Sequence, residues 1–321
     1  MEPVAVASRA APALDKLPAD VLAKCVTLAS DMDVMEIYRL AAVSQSFREV
    51  ARSHAFPDVR DLEFSFPRMR QKLDVFRTEA RTVLSQCSGV ETLSFRRNEW
   101  LADDELLAYI GEHLPKLRSL DLARCRLVRG TGLRALRLVP LQHLSLSGCA
   151  PSAVEQIFER AWRTNRLLGT DSQEDSESML QSTGENGEAT PDVLRERRRQ
   201  KQNRMLFPQL KSLNVSYMAN VDDKYMAMLA KYALNLQHLS VRGCENVSMR
   251  GVHRLVRSVP TVESVDVSFC PQLDVQLLIE TFRCQPVHSS CLIFPLDDWT
   301  PSGLCMFRST HPNFEKLTFI L

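Results

Sequence analysis

Thiol and imidazole side chains crowd one short stretch of this chain: Cys284, His288 and Cys291 lie within eight residues. Both types ligate zinc, but a structural zinc site takes four ligands. No second pair at suitable spacing lies nearby, so the three are read as part of a packed core. Other signatures of chemistry are missing too. The 11 glycines build no phosphate-cradling loop, and Gly130, Gly132 and Gly251 fall where helices begin. Neither a Gly-x-Ser-x-Gly elbow nor a His-Glu-x-x-His pair occurs. Serines, histidines and aspartates are scattered, and a triad is defined by geometry, not by presence. The expectation is a protein that performs no bond chemistry and holds no metal or cofactor.

A second set of polar residues is placed with a period. Thr92, Ser94 and Arg96 alternate with apolar side chains, as do Ser119, Asp121 and Ala123, and His143, Ser145 and Ser147. Later copies give Ser212, Asn214 and Ser216, then His238, Ser240 and Arg242, then Ser264, Asp266 and Ser268. Alternation of this kind marks a strand with one face buried. The buried partners are Val90, Leu93 and Phe95; Leu117, Leu120 and Leu122; Leu141, Leu144 and Leu146; Leu210, Leu213 and Val215; Leu236, Leu239 and Val241; Val262, Val265 and Val267. Starts at 210, 236 and 262 are 26 residues apart. One such strand cannot bury itself, and a fixed period of this size means a solenoid of stacked units.

Four copies add a cysteine three positions past the last apolar residue: Cys125, Cys149, Cys244 and Cys270. The pattern resembles the leucine-rich repeat in its longer, cysteine-containing variety. That resemblance implies an α/β solenoid with a parallel sheet on the concave face and helices on the convex face. Helical patterns fill the gaps, through Leu73, Val75 and Phe76, through Leu106, Leu107 and Ile110, through Leu133, Leu136 and Leu138, and from Val154 to Trp162. An earlier line runs through Val59, Leu62 and Phe64. A degenerate copy is expected at His288, with Cys291 and Ile293 in apolar slots, and a last one at Phe314, Leu317 and Phe319.

With a net charge of +1, composition offers no general argument for nucleic acid or membrane as partner. No apolar run is long enough to span a bilayer. The nine cysteines include four at equivalent repeat positions, an arrangement for packing and not for bridging. A cytoplasmic or nuclear protein with reduced thiols is expected.

Ahead of the repeats the text is helical. Leu17 and Pro18 open it, Val21 and Leu22 follow a turn later, and Val43-Ser44-Gln45-Ser46-Phe47-Arg48 closes it. This stretch resembles an F-box, with Asp33-Val34 where Asp-Leu is usual and Phe47 where Trp is commoner. The combination looks like the F-box and leucine-rich-repeat family. It implies a substrate receptor of a cullin-based ubiquitin ligase of the SCF kind, with Leu17, Pro18, Val21, Leu22, Val43 and Phe47 docking a Skp-type adaptor that carries the cullin. An unidentified protein substrate would meet Arg96, Asp121, His143, Ser145, Asn214, His238, Arg242 and Asp266. A second reading stands beside it: a non-catalytic scaffold for a structural or ribonucleoprotein assembly, its N-terminal helices serving only as the cap that solenoids need.

The chain divides accordingly into a tail over 1–13, a helical module over 14–55, repeats over 56–168, an insertion over 169–206 and repeats over 207–321. The insertion is polar and charge-segregated, with Asp171, Glu174, Asp175 and Glu177 early and Arg195, Arg197, Arg198 and Arg199 late. Its composition predicts disorder. It is read as a solvated loop, with a basic import or nucleic-acid patch and phosphorylation of Ser172, Ser176 or Ser178 as the other readings. The closing Leu317 to Leu321 reads as an apolar edge strand, for which either a covering partner or further chain is expected.

Overall fold

The computed structural model describes residues 18–30, 37, 39, 42–56, 59–64, 66, 73–158, 205–273, 291–295 and 318–320. Within them a parallel sheet of nine strands runs in chain order: β1 (Asp61–Glu63), β2 (Thr92–Ser94), β3 (Ser119–Asp121), β4 (His143–Ser145), β5 (Ser212–Asn214), β6 (His238–Ser240), β7 (Ser264–Asp266), β8 (Cys291–Pro295) and β9 (Thr318–Ile320). The register aligns Leu62, Leu93, Leu120, Leu144, Leu213, Leu239 and Val265 in one row. All seven are buried. Each fully buried leucine contributes about 1.5–3 kcal/mol of transfer free energy, and none could be buried without the copies on either side.

The described α-helices, in order, are α1 (Ala19–Ser30), α2 (Gln45–Val50), α3 (Leu73–Gln86), α4 (Asp104–His113), α5 (Thr131–Ala135), α6 (Pro151–Gln156), α7 (Asp223–Tyr232) and α8 (Met249–Ser258). From α3 onward they cover the back of the sheet through buried faces such as Leu106, Leu107 and Ile110 or Val252, Leu255 and Val256. Caps start them where expected: Asp103 accepts Leu106 N at 2.8 Å and Asp222 accepts Tyr225 N at 2.8 Å. Two residues read as helix-core are outside it. Val75 is 52% and Leu138 91% exposed, the latter because α5 stops after one turn and tightens into a 3₁₀ turn over Leu136–Leu138. Helix α6 also ends at Gln156, well before Trp162, which lies outside the described residues.

The register corrects one expected repeat. Strand β8 pairs Val265 with Leu292 and Ser264 with Cys291, so Leu292, not Cys291, takes the central apolar position. A shift of one residue exchanges the two faces of a strand. Phe294 then stands opposite Phe319. The metal candidates Cys284 and His288 lie outside the described residues.

Strand β4 pairs with β5 as neighbours although the long insertion separates them in sequence. Leu206 N donates to Ile157 O at 2.9 Å, so the chain leaves and re-enters the helical layer at one point. Most of the predicted insertion, 169–204, lies outside the described residues. Its last two do not: Met205 is buried and Leu206 packs on the core, so the second block begins at Met205.

Before the sheet, α2 is capped by Ser44, whose Oγ accepts Phe47 N at 3.2 Å, and it continues as a π-helical turn over Ala51–Ala55. Ile37, Ala51 and Phe56 join the solenoid core. The helical module is therefore seated on the first repeat.

A polar trough on the concave face

Counting from the first apolar residue of each repeat, positions three, five and seven face away from the core. Position five closes the turn that follows its own strand. Asp121 Oδ1 accepts Ala123 N at 2.9 Å, Asn214 Oδ1 accepts Ser216 N at 3.0 Å, and Asp266 Oδ1 accepts Ser268 N at 3.0 Å. These side chains replace a missing backbone partner, as short polar residues do in turns.

Position eight continues the ladder past the strands. Arg124 N donates to Ser147 O at 2.7 Å, Gly148 N to Ser216 O at 3.1 Å, Tyr217 N to Arg242 O at 2.7 Å and Gly243 N to Ser268 O at 2.8 Å. All four, together with Phe269, adopt left-handed backbone, with φ from 57° to 65°. Across the sheet the row reads Arg124, Gly148, Tyr217, Gly243, Phe269, so large residues alternate with glycine. Glycine lets the preceding side chain lie flat: a Cβ on Gly243 would come within 2.6 Å of the Tyr217 ring.

Position nine turns inward. The Cys149, Cys244 and Cys270 thiols donate to the carbonyls of Leu122, Val215 and Val241 one repeat back, at 2.9, 3.3 and 3.2 Å. Burial pushes the Cys149 thiol up to about 12 and that of Cys244 to about 11. Asn98 holds the same position in its repeat and is fully buried. Its amide grips Phe66 from both sides, accepting from Phe66 N and donating to Phe66 O, each at 3.0 Å. Sequence reading missed Asn98, yet it sits where the other copies carry cysteine.

Together these rows form an open trough of about 650 Å³ over β2 to β7. Arg96, Asp121, His143, Ser145, Asn214, Arg242 and Asp266 line it, along with Arg124 and Tyr217, which sequence reading left out. The floor is a chain of short polar contacts. Ser216 Oγ donates to Asn214 Oδ1 at 2.6 Å and lies 2.8 Å from Ser240 Oγ, and Ser240 Oγ reaches Asp266 Oδ2 at 3.2 Å. His143 has its imidazole held below its ordinary value, first by partial burial and then by Lys211 and His238; it is more neutral at pH 7 than a free histidine.

His238 falls outside the trough. Its Nδ1 lies 2.8 Å from Ser264 Oγ and its Nε2 3.9 Å from Glu263 Oε2, a serine, histidine and carboxylate in one place. The surroundings are those of a cross-strand pair. His238 and Ser264 are register partners on β6 and β7, and the imidazole and carboxylate are about half exposed. The backbone N–H groups of Gln237, His238, Glu263 and Ser264 all donate within the ladder, leaving no donor there for an oxyanion. Among the described residues no group of three or more His, Cys, Asp or Glu side chains is placed to hold a metal. No described helix is long and apolar enough to cross a membrane.

The N-terminal candidates divide between two faces. Pro18 is exposed, Val21 is 40% and Val43 72% exposed. Leu22 is buried, so it supports the module from inside and presents nothing to a partner. Phe47 is half-buried against the solenoid core, and Leu17 lies outside the described residues.

A Leucine Rich repeat family model matches residues 113–136, the segment from the end of α4 through β3 and α5. The fold is a leucine-rich-repeat solenoid. Among solved structures, the chain is similar to one from the crystal structure of the Rad7 and Elc1 complex in yeast, with a TM-score of 0.52 at 16% identity, covering 94% of this chain and 67% of that one. The likeness is one of architecture. The solenoid thus carries a polar trough on its sheet and, at its N-terminal end, a helical module with exposed aliphatic residues.

Proposed function

We propose that this chain is a substrate receptor of a cullin-based ubiquitin ligase of the SCF kind, in which the N-terminal module is an F-box that docks a Skp-type adaptor and the solenoid captures a protein substrate. The observation that carries the reading is the exposed set Pro18, Val21 and Val43 on a module whose described residues also include the buried Leu22, Ile37 and Val50. A helical cap needs the inner set and gains nothing from the outer one; apolar residues facing away from the solenoid suit a partner. The similar yeast structure is of a complex of two proteins, Rad7 and Elc1, which supports the idea that this architecture works beside a partner.

On this reading the chain makes and breaks no bonds. It holds a substrate near a ubiquitin-charged enzyme carried elsewhere in the assembly, raising the effective concentration of substrate lysines. The trough supports this, because the Ser216 and Ser240 hydroxyls on its floor are bonded to amide and carboxylate oxygens of their own face. The cysteine-containing subfamily of F-box proteins and a cytoplasmic or nuclear setting belong to the same proposal. The scaffold reading shares the solenoid and drops the adaptor. The two separate by affinity capture of the full chain beside a Val21→Glu/Val43→Glu variant, with mass spectrometry of what is retained. Adaptor and cullin on the wild type and their loss from the variant are the expected result. Capture of other proteins by both forms, with no adaptor on either, would replace the receptor with the scaffold.

A further inference from the structure

The rim of the trough holds one arginine in a built setting. Arg242 Nε donates to Tyr217 Oη at 3.0 Å, and its guanidinium lies over the Phe269 ring, 4.5 Å from the centroid. Neither of its terminal nitrogens has a partner among the described residues. Tyr217 and Phe269 are 58% and 51% exposed, large aromatics offered to solvent on either side of a charge. Both are non-glycine residues in left-handed backbone, a conformation that a side chain with a Cβ disfavours. Left-handed backbone on such residues recurs where a site needs them. Tyrosine, arginine and phenylalanine are also the residue types enriched at interface centres.

We infer that Tyr217, Arg242 and Phe269 form the docking point for an extended, acidic segment of a partner protein, in which a single Asp or Glu carboxylate meets the terminal nitrogens of Arg242 and apolar neighbours cover the two rings. Charge decides the partner's sign. The trough carries Arg96, Arg124 and Arg242, while Asp121 and Asp266 accept hydrogen bonds from their own turns. Geometry decides the number of charges. Arg124 stands at the end of β3 and Arg242 at the end of β6, three strand spacings or about 14 Å apart along the backbone, and Arg242 is the guanidinium held between Tyr217 and Phe269, so the docking point is built around one cation. One guanidinium fork matches one carboxylate in two parallel hydrogen bonds, whereas a phosphate dianion would call for several cations around it. The aromatic flanks hold the fork in place, so little side-chain freedom remains to be lost on binding.

This inference rests on the concave face being the partner surface, but not on the adaptor. The test is an array of peptides with a central Glu, Asp, Gln, Lys or phosphoserine between apolar residues, probed with the full chain. Glu and Asp are expected to retain it best, and Arg242→Gln to weaken them about tenfold or more. Arg242→Lys should not restore binding, since an ammonium loses both fork and stacking. Phe269→Ser, which leaves the charge in place, should give a smaller loss, and the wild-type interaction should weaken with salt. Thermal melting identifies any variant that fails to fold, and the remaining ones decide. Equal retention by Gln, preference for phosphoserine, or full binding by folded Arg242→Gln overturns the inference. Adaptor capture without acid preference would sink this inference alone; acid preference without adaptor capture would sink the ligase reading alone.

Discussion

Asp223, the first residue of α7, should hold two repeats together. Its Oδ1 accepts Ser248 N at 2.8 Å and its Oδ2 accepts the Ser248 hydroxyl at 2.5 Å. Ser248 is in turn the N-cap of α8. The next helix is brought so close that a Cβ on Gly251 would come within 2.5 Å of Asp223 Oδ1. A hydrogen bond to a charged group contributes about 1.5–3 kcal/mol when shielded. Both residues are only partly buried, so we discount the pair and expect Asp223→Ala to destabilise by about 2 kcal/mol. Ser248→Ala removes the cap as well and should cost about 1–2 kcal/mol. Because the two changes delete one interaction, they should not add. A double-mutant cycle by urea denaturation should return a coupling of about 1 kcal/mol. Repeats contact only their neighbours, so amides of α8 should exchange faster in Asp223→Ala while those of α4 are unchanged. Additivity within about 0.3 kcal/mol, or exchange that quickens uniformly along the chain, would refute the clasp.

Asn98→Ala removes both bonds to the Phe66 backbone and leaves that peptide unpaired in an apolar site; about 2–3 kcal/mol of lost stability is expected in thermal or urea melts. Among the six described cysteines, alkylation at pH 8 should modify half-buried Cys25 first and leave buried Cys87, Cys125, Cys149, Cys244 and Cys270 untouched until denaturant is added, since the thiolate is the reactive form. The same burial raises the folded-state values of Cys87 and Cys149 to about 12 from an ordinary 9.0. Their contribution to stability is complete below pH 9.0 and is lost as pH climbs towards 12, because the unfolded chain ionises first. Melts of Cys149→Ala across that window should therefore fall less steeply with pH than those of the wild type.

The solenoid was legible because each copy repeats the same three apolar positions, and the register of β1 to β7 then follows from a row of leucines ending in Val265. Periodicity failed where residue types were poor. At β8 a count of twenty-six from Val262 started the copy at His288 and so put Cys291 at its central position, whereas the register pairs Val265 with Leu292. The short helices misled for a related reason: an apolar residue at helical spacing, such as Leu138, says nothing about whether the helix lasts long enough to bury it. Of the trough, positions three, five and seven could be read from alternation. Position eight could not, because alternation ends with the strand. The available signal was Gly148 and Gly243 at one repeat position, a hint of left-handed backbone that Arg124, Tyr217 and Phe269 must share.

That position joins the fold to its proposed use. Every copy from β3 to β7 needs left-handed backbone there to extend the ladder and turn position nine into the core. Glycine would meet the need at every copy without strain, and it occupies two of the five. Arg124, Tyr217 and Phe269 each accept a penalty of about 1–2 kcal/mol and gain little burial in return, with Tyr217 and Phe269 more than half exposed. Two of these three flank the stacked guanidinium of Arg242. Packing explains the glycines and the buried cysteines beside them, but it does not explain large side chains displayed in the one conformation that disfavours them. A partner that uses those side chains does.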